Sequence, residues 1–257
     1  MLRLLINLDR SPDRLQIMKK ELSTLKISFE RIAAVDGALL SDEYIKSITP
    51  RQYSKEKLWS PYNLIKTEYA CFLSHRKCWS KLIDSDQNFA LIIEDDIKFS
   101  HDASQYIFSS DWIPTQAKLI QVHSPKEPQS FQVNSNKLNP NHGIPGTLYE
   151  IIHPTPNGTP AYIISKEAAF KALELSSQIG GPVDEFLFSI KSPLRKYVCP
   201  YKLNPGIGKP TDLASTILSQ PRQRTKPYLC RLHPFSIWLK LRSIYLKTLN
   251  PQTEIFL

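Results

Sequence analysis

Apolar residues in this chain fall in two patterns: short unbroken runs, and longer stretches in which they recur every three or four residues. The first pattern predicts buried strands and the second amphipathic helices. Leu2 to Leu8 is the first strand-like run. Asp9-Arg10-Ser11-Pro12 breaks it, with Ser11 suited to a helix N-cap and Pro12 to the first helical position. Leu15, Met18, Leu22 and Leu25 then form one helical stripe, and Phe29 to Val35 predicts a second strand closed by Asp36-Gly37. If the two strands are parallel, the unit must cross over right-handedly. Residues 38 to 66, rich in Lys, Ser and Tyr, predict irregular helical turns and loop. Thr67 is expected to cap a helix reaching about Leu82, with Glu68 in its first turn. Phe89 to Ile93, Lys118 to Val122 and Ala161 to Ile164 predict further strands, and Ser165 caps a helix of about ten residues. The Pro, Asn and Ser content of residues 123 to 158 predicts long loops with one hairpin, Phe131–Val133 against Thr147–Ile152. A last helix starts near Val183. Alternating strands and helices indicate an α/β protein. Residues 1–217 are expected to form the domain and residues 218–257 a basic, amphipathic, helical tail.

Composition narrows the partners. The 257 residues are 41% hydrophobic and 22% charged, ordinary for a globular chain. Twenty prolines against eight glycines suggest rigid loops, and no Gly-rich dinucleotide fingerprint is present. A net charge of +9 and a pI near 9.3 favour anionic partners such as nucleotides, phosphorylated glycans, nucleic acid or an anionic membrane surface. Cysteines 71, 78, 199 and 230 show no Cys-x-x-Cys pair and no metal-ligand spacing. Cys71 and Cys78, seven apart on a predicted helix, are expected to be core thiols. The first ten residues are charged too early for a signal peptide, and no apolar run approaches the ~18 residues a membrane span needs. A reduced, cytoplasmic protein is expected.

The strand Phe89–Ile93 runs directly into Glu94-Asp95-Asp96. Three adjacent carboxylates repel one another and are costly to desolvate, so the strand is expected to end at a cleft where a cation meets them. Clefts outside the carboxyl ends of strands are where open α/β sheets bind ligands. Asn7, Asp9 and Asp36 end other strands and would line the same edge, although each residue type is also a common turn former. Ser74 and His75 fall inside the predicted helix. There His75 can be a general base or a buried structural histidine. Asp184 and Glu185 occupy the first turn of the last helix, a position explained equally by helix-start preference and by a catalytic base. From Leu213 to Thr253 the chain carries no acid, and its Arg and Lys residues alternate with Phe235, Trp238, Leu241, Ile244 and Tyr245. Such a tail can lie on an anionic membrane or pack its apolar face on the core.

Six ordered blocks carry a resemblance. They are Ile6–Arg14, Phe29–Gly37, Glu68–His75, Ile92–Asp96, Gly158–Ser165 and Pro182–Asp184. Together they resemble glycosyltransferase family 25, the bacterial lipopolysaccharide and lipooligosaccharide sugar transferases related to the collagen galactosyltransferase domain. Ala70 stands where that family usually has Gly, and residues 200 to 215 match loosely. The resemblance implies a GT-A-like fold, a mixed, mostly parallel sheet flanked by helices, binding a UDP-sugar donor with Mn²⁺ or Mg²⁺. Glu94 and Asp96 would hold the metal. Asn7, Asp9, Arg14 and Asp36 would bind the nucleotide, with Arg14 near the diphosphate, and Ser74, His75 and Asp95 would complete the substrate site. Asp184 would deprotonate the acceptor hydroxyl in an inverting single displacement, with Glu185 next in line. The third metal ligand is open, with His153 and His233 as candidates. The implied donor is UDP-galactose, or UDP-glucose, and the acceptor a lipooligosaccharide core sugar at the inner membrane, which the basic tail would contact. Competing expectations are a nucleotidyl- or phosphotransferase using the same acids, which would need a phosphate-cradling Gly-rich loop or a Lys near them, where only Lys98 is close in sequence, and a non-catalytic glycan- or nucleotide-binding relative. Nucleic acid is not expected, because RNA-binding aromatic signatures are missing.

Overall fold

The computed structural model describes residues 1–50, 63–155, 157–211, 237, 238, 241, 244, 245 and 252–256. In chain order the strands and helices are β1 (Leu2–Asn7), α1 (Pro12–Thr24), β2 (Glu30–Ala33), α2 (Asp42–Ile48), α3 (Lys66–Ile83), β3 (Phe89–Glu94), β4 (Ile97–Phe99), α4 (Ser104–Ile107) and β5 (Leu119–Gln121). They continue with β6 (Gln129–Val133), β7 (Thr147–His153), β8 (Ala161–Ser165), α5 (Lys166–Leu175), α6 (Val183–Phe188), β9 (Pro200–Asn204), β10 (Gly208–Pro210) and β11 (Gln252–Phe256).

Among the described residues nine strands form one sheet in the order β11-β6-β7-β9-β5-β8-β3-β1-β2, and β4 pairs separately with β10. β2, β1 and β3 are mutually parallel, as are β5 and β9, and the other neighbours are antiparallel. The expected mixed, mostly parallel sheet is present in strand direction, since β1, β2, β3, β5, β6 and β9 all point one way.

Unbroken apolar strands follow from burial on both faces. Leu4, Ile6, Ala90 and Ile92 pack on one side with Phe72, Trp79 and Phe186 of α3 and α6. Leu5, Leu91 and Ile93 pack on the other with Met18 and Leu22 of α1. The expected hairpin is β6 against β7, and the Ser165 side chain caps α5 by accepting from Ala168 N. Differences are local. Ser11 occupies the N-cap of α1 but makes no side-chain capping bond. α3 starts one residue before Thr67, because the Glu68 carboxylate accepts from Ile65 N at 3.0 Å and closes the turn earlier. The helical turns expected between residues 38 and 66 include the regular helix α2, whose N-cap Ser41 accepts from Tyr44 N at 3.1 Å.

In the expected tail, Ile237, Trp238, Leu241, Ile244 and Tyr245 are helical and exposed, at spacings that share one face. Gln252–Phe256 is not helical. It adds to the sheet edge as β11, where Phe256 is buried against Phe131 and Tyr149. Arg222, Arg224, Lys226, Arg231, Lys240, Arg242, Lys247 and His233 lie outside the described residues.

Candidate active site

Because β1, β2 and β3 are parallel, their carboxyl ends reach one edge together. β8 runs the other way, so the segment entering it, Gly158-Thr159-Pro160, arrives at that same edge, and Glu94 N donates to Pro160 O at 2.9 Å. The first turns of α3 and the start of α6 close the sides. The result is a cleft of about 270 Å³ whose wall includes Asn7, Arg14, Asp36, Ser74, His75, Glu94, Asp95, Asp96 and Asp184. Nine of the ten residues to which the resemblance assigns a site role therefore meet in one place.

Asp9 is the exception. Its side chain is 77% exposed and pairs with Arg31 outside the cleft wall, because the chain turns away after β1. Arg10 lines the cleft instead and donates to Asp36 at 2.7 Å. The Ala38 backbone N–H and then Arg10 hold the Asp36 carboxyl below its ordinary range. His153 closes β7 away from the cleft wall. Lys98 is exposed on β4 and does not line the cleft.

Several of these residues are occupied by the fold itself. Asn7 is 1% exposed and donates to Asp95 at 2.6 Å and to Ser11 O at 3.0 Å, while its oxygen accepts from Arg31. Ser74 accepts from Val35 N at 2.8 Å and donates to Ala70 O at 2.7 Å, tying α3 to the loop after β2. Gly37 in that loop lies so close to α3 that a Cβ would stand 3.0 Å from the Lys66 backbone. Ser74→Ala orphans the Val35 amide, so it is expected to lower stability by about 1–3 kcal/mol in urea denaturation. Unchanged stability would remove Ser74 from the framework.

A donor chain ends on Glu94. Trp79 Nε1 donates to the Tyr162 hydroxyl at 2.9 Å, and that hydroxyl meets His75 Nδ1 at 2.9 Å. Indole nitrogen can only donate, so the simplest assignment passes the Tyr162 hydrogen to Nδ1 and leaves the proton of His75 on Nε2. Nε2 faces Glu94 Oε1 at 3.3 Å, and the Thr159 hydroxyl also donates to Oε1. Burial alone would raise the Glu94 pKa, but these two contacts outweigh it and hold the carboxylate below its ordinary range. Asp95 accepts from Asn7 and pairs with Arg14, yet burial leaves its pKa raised. Asp96 is pushed up to about 7, first by burial and then by the charge of Glu94, with Arg14 3.8 Å away only partly offsetting this.

Asp184 Oδ2 accepts from Gly158 N at 3.0 Å and Oδ1 from Glu185 N at 2.9 Å. Gly158 has φ +74°, a conformation that favours glycine, and Gln121 Nε2 donates to its carbonyl at 3.0 Å. Gln121 is held in turn by Lys202, which is buried and donates to Gln121 Oε1 and His123 O at 2.7 Å each. Burial lowers the Lys202 pKa to about 7. The segment that touches both Asp184 and Glu94 is thus anchored from behind.

Three buried side-chain atoms among the described residues lack any hydrogen-bond partner: Arg14 Nε, Thr67 Oγ1 and Asp96 Oδ1. All three residues line the cleft. Buried polar groups are normally satisfied, so two donors and one carboxylate oxygen left unpaired in one cavity point to a polar ligand. A hard divalent ion fits the Asp96 position, where an unpaired oxygen and a surplus of carboxylates over cations coincide. Glu94 fits beside it, because both its contacts fall on Oε1. Cys71 is a correction to the sequence reading. Cys78 is fully buried in the core, whereas Cys71 packs against the core only in part and also lines the cleft, where burial and then the charges of Glu94, Asp184, Asp96 and Glu68 push its thiol well above the ordinary value. Thr159, Tyr162 and Arg10 also escaped the sequence reading. All three lie inside the six ordered blocks, so their signal was present, but residue type alone assigns them no role.

Comparison with known proteins adds an independent line. The structure is loosely similar to the inositol-1-phosphate CTP transferase of T. maritima (TM-score 0.32, 14% identity, 82% of this chain and 70% of that one), too loosely to argue from. In sequence the chain is 29% identical to procollagen galactosyltransferase 1-B of Xenopus laevis over 199 residues, covering 71% of this chain and 30% of the relative. It is 27% identical to the lipooligosaccharide biosynthesis protein lex-1 of Haemophilus influenzae over 153 residues, 56% of this chain and 49% of that one. The chain thus spans about a third to a half of these relatives. The family described as glycosyltransferase family 25 (LPS biosynthesis protein) matches residues 1–187, and those residues contain every described side chain of the cleft wall. The chain belongs to glycosyltransferase family 25.

Proposed function

We propose that the chain transfers a hexose, galactose in the first instance, from a UDP-sugar to a lipooligosaccharide core sugar, with a Mn²⁺ or Mg²⁺ ion at Glu94 and Asp96. The observation that carries this reading is that three residues lining one cleft, Arg14, Thr67 and Asp96, each hold a buried polar atom with no hydrogen-bond partner. Two donors suit diphosphate oxygens, and the carboxylate oxygen suits the ion that accompanies them. The choice of galactose is supported by the relatives named as procollagen galactosyltransferases, and the acceptor by the relative named for lipooligosaccharide biosynthesis.

Each end of the transfer has its own group. The acceptor oxygen attacks the anomeric carbon, its proton passes to Asp184, and the bond from that carbon to the diphosphate breaks, releasing UDP. Asp184 is held by two backbone amides, one on each oxygen, and keeps further lone pairs for the acceptor hydroxyl. At the leaving end Arg14 offers its unpaired Nε–H to the developing phosphate charge. The metal, when bound, supplies charge neutralisation of the departing diphosphate. Asn7 fixes Asp95, and Asp95 fixes Arg14. Among the described residues no helix is long and apolar enough to cross a membrane. The exposed apolar positions 237, 238, 241, 244 and 245 support a surface contact with the inner membrane.

The test is incubation with UDP-galactose or UDP-glucose and a truncated lipooligosaccharide, with products read by mass spectrometry and the new anomer by NMR. One hexose added with inverted configuration is expected. UDP binding without transfer of either sugar would mark a non-catalytic relative.

A further inference from the structure

Cys71 and His75 are four residues apart in α3 and so share one face of the helix, the face turned to the cleft. Glu94 meets them from the end of β3. Cys71 Sγ, a His75 ring nitrogen and a Glu94 carboxylate oxygen all lie within 4.8 Å of one another. We propose that these three residues form a second cation site, selective for a thiophilic divalent ion of the Zn²⁺ type and separate from the hard-ion position at Asp96.

Zn–S bonds of about 2.3 Å and Zn–N or Zn–O bonds of about 2.0–2.2 Å in a tetrahedron set the ligand atoms roughly 3.3–3.8 Å apart. His75 Nε2 and Glu94 Oε1, at 3.3 Å, already match that spacing, and Cys71 Sγ, within 4.8 Å of the other two ligand atoms, has to close by about 1 Å. Groups behind the ligands hold them as metal sites require. Tyr162, itself bonded to Trp79, orients the histidine through Nδ1, and Thr159 orients the carboxylate. On binding, the Cys71 thiol proton leaves to solvent and the His75 proton moves from Nε2 to Nδ1. There it donates to the second lone pair of the Tyr162 oxygen, whose own hydrogen rotates away from the ring as the contact reverses. A thiolate and a carboxylate then balance the dication. Three protein ligands on the wall of an open cleft leave the fourth position to water. Sulfur favours Zn²⁺, Cd²⁺ or Co²⁺ over Mn²⁺ and Mg²⁺, which prefer all-oxygen sets. Glu94 belongs to both sites, Oε1 facing the thiophilic ion and the other oxygen free for the hard ion, so the charge of a dication on Oε1 opposes a second dication beside it. This antagonism, unlike the site itself, rests on the function proposed above.

The experiment is titration of the full chain with Co²⁺ and Cd²⁺, followed by thiolate-to-metal charge-transfer absorbance. A band is expected in the wild type, in Cys199→Ser and in Cys230→Ser. It should be lost in Cys71→Ser and need at least ten times more metal in His75→Gln. A wild type without the band, or a band undiminished in Cys71→Ser, overturns the proposal. Alkylation of wild-type Cys71, read by peptide mass spectrometry, decides the matter without any variant. Zn²⁺ should slow it and Mn²⁺ should not, and equal rates with and without Zn²⁺ contradict the site. Loss of Mn²⁺-dependent UDP binding on adding Zn²⁺ supports the antagonism. Absence of UDP binding under all conditions overturns the transferase reading but leaves the charge-transfer result to judge the metal site.

Discussion

Asp96→Asn is expected to weaken metal-dependent binding of a UDP-sugar by about 100-fold or more, equivalent to about 2.7 kcal/mol or more. The reason is electrostatic. Asp96 is half-buried beside Glu94 and Asp95, its Oδ1 has no hydrogen-bond partner, and Arg14 alone cannot neutralise three acids. Asparagine keeps the shape but removes the charge that a dication would balance. The wild type should also show a pH signature. With its pKa near 7, Asp96 carries a proton over much of the range below neutrality. A cation must displace that proton, so Mn²⁺ affinity should rise from pH 6 to pH 8 with proton release, and the rise should flatten in Asp96→Asn. Calorimetry in buffers of different ionisation enthalpy measures both. Asp9→Asn, outside the cleft, is the control and should change affinity less than two-fold. Equal affinity of Asp96→Asn with and without Mn²⁺ would remove the metal from this position.

Asp184→Asn should leave donor binding intact while turnover falls by roughly 100-fold or more, the usual scale for a lost general base. The amide oxygen can still accept one of the two backbone N–H groups that hold the carboxylate, so the local fold survives with a modest loss of stability. Steady-state kinetics with donor and acceptor varied separately distinguish this from a binding defect. The fall belongs in kcat, with the donor KM unchanged. Normal turnover would move the base elsewhere, with Glu185 as the next residue to replace.

Much of this arrangement was legible in the sequence because its signals are local. Phe89–Ile93 followed by three acids is a strand that must end at a polar edge, and Gly37 and Gly158 mark tight backbone where that edge is built. What the sequence concealed depends on long-range pairing. Nothing local tells Asp9 from Asp36. The first points to Arg31 and solvent, and the second is held by Arg10 and Ala38. Cys71 and Cys78 share a helix face in a heptad count. Yet α3 enters at the cleft and continues along the core, so the two thiols meet different surroundings. Gln252–Phe256 follows a helical pattern in its neighbours but finds an open strand edge at β6. The roles of Tyr162 and Thr159 exist only because β8 runs antiparallel to β3, a pairing that residue type does not announce.

On the function proposed above, this cleft binds a uridine diphosphate sugar together with a hard divalent ion. Calorimetric titration of the full chain with UDP-galactose, UDP-glucose and ATP, each with Mn²⁺ and with chelator, tests it most directly. One UDP-sugar should bind, chelator should abolish the binding, and ATP should not replace it. Binding of ATP alone, or of none of the three, would contradict it.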